Sequence, residues 1–245
     1  MRTVFLKADD LRLETITKKW RRFLDYCRKE GVYCNVGVIA GGAIGLDDAQ
    51  IEEIRYELHC LEMGKLWLLW NHGVWHKRNR VTKTSDFCGA PLEDQVGSLR
   101  LAQELVERIA GVRMMAFGAP FNWWDHNTVL ALQQFPEIQY VFHIPYVPGK
   151  CCYGSEIFVQ AEPFLGEVKP GAMRTFALET AKRKSERFLS IDRSFVLQIH
   201  PGSWDQSGFD SFAAFVDYIR NAGYAFASIA DPCAHSRESQ RTVII

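Results

Sequence analysis

Leu66-Trp67-Leu68-Leu69-Trp70-Asn71-His72-Gly73-Val74-Trp75-His76 is the stretch from which the fold and chemistry of this chain are read. Its apolar run, Leu66 to Trp70, lies between Gly64 and Gly73 and predicts a buried strand. The run delivers His72 and His76 to the mouth of a sheet. On one helical turn, residues i and i+4 share a face, so both imidazoles can reach one ion. Zinc takes neutral imidazole nitrogens and keeps an open position when it is catalytic. Two histidines leave a third ligand to come from elsewhere. The same spacing also arises from two polar residues on a surface turn, so the rest of the chain decides.

The chain has 245 residues, nearly half of them apolar, with 29 acidic residues balancing 29 basic ones. That length fits one α/β barrel over 1–245 as a single domain. Charge balance argues against nucleic acid or a polybasic membrane contact as the main partner. No n-region, long h-region or cleavage site follows Met1-Arg2-Thr3, and no apolar stretch is long enough for a transmembrane span. The seven cysteines, among them the adjacent Cys151-Cys152, lack paired CxxC spacing. The expectation is a cytoplasmic protein with reduced thiols.

Strands are expected at 3–8, 32–40, 66–70, 114–121, 138–144, 195–200 and 224–229. Helices are expected at 14–30, 47–63, 95–110, 127–135, 175–189 and 209–221. The stretches 77–94 and 145–171 read as irregular, the second carrying four prolines and four glycines. Strands alternating with helices predict parallel βαβ units and a seven-stranded barrel, whose chemistry sits at the strand ends. Polar residues gather at those ends: Asp9-Asp10, His72 and His76, Asn122 and His126, and His200.

Two histidines and an aspartate suit a hydrolytic zinc or similar divalent ion. In an extended chain the side chains of Asp9 and Asp10 point to opposite faces, so one can bind metal while the other takes a proton from water. Alternatively, Asp-Asp before a helix is an N-terminal cap. His200 can protonate a leaving amine, or sit half-buried and satisfied.

These residues, in this order, resemble the polysaccharide deacetylase family, the NodB-homology domain of carbohydrate esterase family 4. The resemblance rests on Asp9-Asp10, His72-x-x-x-His76, the turn at Pro120-Phe121, and Leu197-x-x-His200, and it covers nearly the whole chain. It implies a distorted seven-stranded β/α barrel that removes acetyl or formyl from an amide nitrogen on a sugar. It further implies that Asp9 is the general base, that Asp10, His72 and His76 hold a divalent metal, and that His200 is the general acid. Three departures stand out. Gly73 replaces the usual Ser or Thr after the first histidine. Gly118-Ala119-Pro120 lacks the arginine that orients the base. The aspartate-tryptophan motif that pairs with the catalytic histidine has no clear match; a backbone carbonyl, His143 or Asp205 are the candidate partners of His200, and a non-carboxylate one is expected.

Trp75, Phe121, Trp123, Trp124, Tyr146 and Trp204 fall at or near strand ends, where aromatic planes can pack on sugar C–H faces. Trp75, Pro120, Phe121, Asn122, Trp123 and Trp204 are the expected substrate-binding residues. The expected function is a cytoplasmic zinc hydrolase. Its substrate would be an N-acylated sugar on a nucleotide, a lipid carrier or an oligosaccharide, such as an O-antigen-like surface-polysaccharide precursor. A sugar-binding barrel that lost turnover, or a metallohydrolase of a non-sugar amide, are the alternatives.

Overall fold

The computed structural model describes residues 2–79, 81–143, 157–162, 165–169 and 174–231. Thr3–Leu11 (β1) is buried along nearly its whole length and so must serve two apolar faces. Val4, Leu6 and Ala8 join the core shared with the helices, whereas Phe5 packs with Trp70, Phe142 and Val196 inside the sheet's curl. That alternation is the period-two geometry of a strand.

Cys34–Val38 (β2), Trp67–Asn71 (β3), Ala116–Gly118 (β4), Tyr140–His143 (β5), Ile157–Glu162 (β6) and Phe195–Ile199 (β7) continue the sheet. Neighbours pair in parallel, and β7 returns to β1 from Val4↔Phe195 to Ala8↔Ile199. Seven parallel strands thereby close a barrel. It is distorted, since β3 and β4 meet only at Asn71↔Phe117. Ala225–Phe226 (β8) adds to the start of β1, opposite Thr3 and Val4.

The ring therefore has the expected number of strands but not the expected membership. The segment 224–229 contributes only the short β8. The seventh place belongs to β6, inside the stretch read as irregular. Tyr146, Cys151 and Cys152 lie outside the described residues.

The helices are Lys18–Glu30 (α1), Asp48–Cys60 (α2), Leu92–Ala110 (α3), His126–Leu132 (α4), Leu178–Leu189 (α5) and Gln206–Asn221 (α6). The first begins later than expected because Thr17 caps it, accepting from the Trp20 N–H, while Leu13–Thr15 form a separate short turn. Asp47 and Gln50 close a capping box on α2.

Trp70 fills the barrel interior and is wholly buried. Its indole leaves no room for a side chain at Gly37 or Gly118 on the flanking strands. Burying one such ring contributes about 1.5–3 kcal/mol. The indole is also the floor under the polar residues at the strand ends, with its ring centroid 4.9 Å from that of His72.

Candidate metal centre and acid–base pair

The register between β1 and β2 shifts between Ala8 and Leu11, and Asp10 sits at φ 75 within that bulge. Bulges re-aim side chains. The two carboxylates thus part company through a bulge, not through the simple alternation of an extended strand. Asp9 turns inward and Asp10 turns towards β3.

The two histidines also converge differently from the expected helical turn. No helix forms over 72–76. Instead Gly73 (φ 75) and His76 (φ 30) turn the chain back on itself. Asn71 fixes this turn: its Oδ1 accepts from the Gly73 N–H at 2.9 Å and its Nδ2 donates to the Leu99 carbonyl at 3.2 Å. Glycine is required at 73 by its φ and because a Cβ would stand 2.8 Å from the Phe87 ring. Of the seven non-glycine residues with positive φ among the described residues, Asp10, His76, Phe121 and Asn122 lie at this one end of the barrel. Such strain collects at functional sites, each instance costing of order 1–3 kcal/mol.

Asp10 Oδ1 lies 3.3 Å from His72 Nε2 and 3.1 Å from His76 Nε2. These three ligand atoms lie within 4.8 Å of one another. His72 Nδ1 stands 2.6 Å from the Gly118 carbonyl, which can only accept, so the ring proton belongs on Nδ1 and the Nε2 lone pair faces Asp10. Asp10 Oδ1 is buried and makes no well-formed hydrogen bond among the described residues. A carboxylate oxygen and an imidazole lone pair turned towards each other repel unless a metal ion or a proton lies between them. Burial raises the Asp10 carboxyl pKa, but hydrogen bonds and positive charge from His72 and His76, present when these imidazoles are protonated, outweigh it and hold the carboxyl well below the usual carboxylate range. An anionic oxygen with two imidazole nitrogens is a donor set that suits a zinc-like divalent ion.

Asp9 is almost fully buried. Its Oδ2 accepts from Lys7 Nζ at 2.6 Å and from Gln198 Nε2 at 2.7 Å, and Gln198 Oε1 accepts in turn from Asn122 Nδ2 at 3.3 Å. Asp9 Oδ1 has no hydrogen-bond partner among the described residues and remains available to accept a proton. His200 Nε2 lies 3.9 Å from Asp9 Oδ2, so the two groups expected to share the acid–base work face one site. A cleft of about 240 Å³ opens beside Asp9, Asp10 and His200, with Arg12, Trp20 and Ser203 on its walls.

The expectation of a non-carboxylate partner for His200 is wrong. Glu167 Oε2 accepts from His200 Nδ1 at 2.8 Å, and its Oε1 accepts from the His200 backbone N–H at 2.6 Å and from Trp204 Nε1 at 2.8 Å. Arg174 Nη1 also touches this ring at Nδ1, stands 2.7 Å from Nε2, and is 3.4 Å from Glu167 Oε2. A guanidinium has no lone pair, so the Nδ1 proton can only go to Glu167. Asp205, five residues beyond His200, instead caps α6 and accepts from Thr175. Glu167 was missed because a two-residue hairpin strand, paired with Thr175–Phe176, carries it. A glutamate and a tryptophan far apart in sequence thus stand behind the His200 ring.

The expected substrate residues divide. Phe121 is half-buried with its ring centroid 4.1 Å from that of His76, Trp123 lies 6.3 Å beyond it, and the Arg78 guanidinium stands 4.7 Å over the Phe121 ring. Trp75 is exposed, with Lys77 Nζ 4.7 Å over its ring. Asn122 faces Gln198. Trp204 and Pro120 are corrections. Trp204 is fully buried among Phe23, Phe176, Phe209 and Phe212, so it holds Glu167 and offers no plane to a sugar. Pro120 is buried at the start of a short turn. His126 opens α4, exposed.

No protein-family model and no curated protein matches the sequence. Solved structures do. The chitin deacetylase of the fungal pathogen Colletotrichum lindemuthianum is 16% identical, with a TM-score of 0.59 over 96% of this chain and 92% of that one. A family 4 acetyl xylan esterase from Clostridium thermocellum, solved with a cobalt ion, is 12% identical, with a TM-score of 0.57 over 92% and 87%. A CE4 family pseudoenzyme from Bacillus anthracis is 10% identical, with a TM-score of 0.57 over 93% of this chain. This chain covers 64% of the pseudoenzyme's length. At these identities the likeness concerns the fold: the chain is built as a distorted seven-stranded NodB-type barrel, a divergent example of the fold of carbohydrate esterase family 4.

Proposed function

We propose that the chain is a metal-dependent deacylase of the polysaccharide deacetylase family, releasing acetyl or formyl from an N-acylated sugar. The observation that carries this reading is the convergence of Asp10, His72 and His76 on one point, with Asp9 and His200 beside it. Asp10, His72 and His76 would hold a divalent ion, zinc by our reading, which would supply Lewis acidity at the acyl carbonyl. Asp9 Oδ1 accepts the proton of the attacking water. His200, its Nδ1–H held by Glu167, is the acid for the departing amine through Nε2, a role that requires the Arg174 guanidinium, 2.7 Å from that nitrogen, to move aside. Phe121, Trp123 and Trp75 line the approach with aromatic planes for a sugar ring, and Asn122 supports the base through Gln198.

Among the described residues no helix is long and apolar enough to cross a membrane. By our reading the enzyme works in the cytoplasm on a nucleotide- or lipid-linked precursor of a surface polysaccharide. The test is acetate and formate release from N-acylated chito-oligosaccharides and nucleotide sugars by the zinc- or cobalt-loaded protein. Release that disappears in Asp9→Asn supports the proposal. A second reading, a sugar-binding barrel without turnover, draws on the absent arginine at Gly118-Ala119-Pro120 and on the likeness to a pseudoenzyme. Sugar binding with full metal loading and no acyl release would establish it.

A further inference from the structure

Lys7 is a fully buried lysine inside the barrel. Its ammonium stands 4.7 Å over the Trp70 ring and 5.7 Å from the Phe142 ring centroid, and donates to Asp9 Oδ2 at 2.6 Å. Burying an ammonium is costly, and a well-packed apolar residue in its place is often neutral or stabilising. Packing alone therefore does not explain a lysine at this position. Burial lowers its pKa, while the Asp9 charge and hydrogen bond work to raise it. The aromatic rings hold the ammonium under the carboxylate by cation–π attraction and leave it no path to solvent.

We infer that Lys7 is the positioning residue of the base: with Gln198 it saturates Asp9 Oδ2 and leaves Oδ1 as the single free acceptor. This rests on the reading of Asp9 as the base. Being fully buried, Lys7 is out of the substrate's reach and acts only through Asp9.

The test uses Lys7→Met, Asp9→Asn, the double variant and Lys7→Arg. If Lys7 positions the base, Lys7→Met lowers kcat at least ~100-fold while KM and the zinc Kd stay within about threefold, because it touches neither substrate nor ligands. Lys7→Arg restores part of that kcat, since it returns the charge. Unfolding in denaturant gives a readout independent of turnover. Asp9→Asn, by removing the stranded charge, recovers most of the midpoint lost in Lys7→Met, a coupling that a double-mutant cycle isolates. Parallel loss of zinc affinity and kcat, or additive midpoints, overturns the inference. If the zinc-loaded parent releases no acyl group at all, the deacylase reading fails, and the cycle alone decides the pairing: coupling keeps it and additivity removes it.

Discussion

The Glu167 carboxylate accepts from His200 Nδ1 at 2.8 Å, and it is held there by Trp204 Nε1 at 2.8 Å. A buried tryptophan thus orients the carboxylate that orients the histidine. Groups behind a reacting side chain are commonly worth 10–100-fold. Glu167→Gln is expected to lower kcat by about that factor and Trp204→Phe by less, with zinc affinity unchanged in both. Steady-state kinetics beside a zinc titration checks this. Unchanged kcat in Glu167→Gln would remove His200 from the acid role.

The barrel interior makes its own demand. The Trp70 indole occupies the space where Gly37 and Gly118 would carry a Cβ, at Gly118 only 2.8 Å from the ring. Overpacking of this kind costs roughly 1–3 kcal/mol. Gly37→Ala and Gly118→Ala should each lose at least that much in denaturant unfolding. Because Trp70 also underlies Lys7 and His72, both variants are expected to weaken zinc binding. A neutral effect on stability at both positions would mean the indole is not fixed there.

Cys27 and Cys34 are fully buried, and burial pushes both thiols well above their ordinary range. The thiolate is the reacting form, so raising pH to 8 does not make them available. Alkylation followed by peptide mapping is expected to label exposed Cys60 in the native protein, and Cys27 and Cys34 only on unfolding. Native labelling of Cys27 would contradict the packing of α1 on the barrel.

The legible part of the fold was the set of apolar runs ending in polar residues, because β1, β3 and β7 bury nearly every residue and must be written that way. β6 was not legible: Ile157-Phe158-Val159 is a strand signal, but it is short and set among prolines and glycines that mark loops. Lys7 is a charged residue within a strand, and its charge alone gives no sign of burial. Its signal was parity, since Phe5, Lys7 and Asp9 share a face and Phe5 is apolar. Gly73 departs from the Ser or Thr of the resemblance because its positive φ and the Phe87 ring demand a glycine. Glu167 left no local signal, because its partners at 200 and 204 come from another strand end.

The convergence of Asp10, His72 and His76 is most directly tested by zinc itself. Calorimetric titration of the metal-free chain, with anomalous scattering from zinc-soaked crystals, should give one ion per chain bonded to Asp10, His72 and His76 at about 2.0–2.2 Å. Affinity should persist in Asp9→Asn and fall at least ~100-fold in His72→Ala, because a ligand is lost only in the second. A parent that binds zinc no better than His72→Ala, or an anomalous peak away from these three residues, would contradict the account.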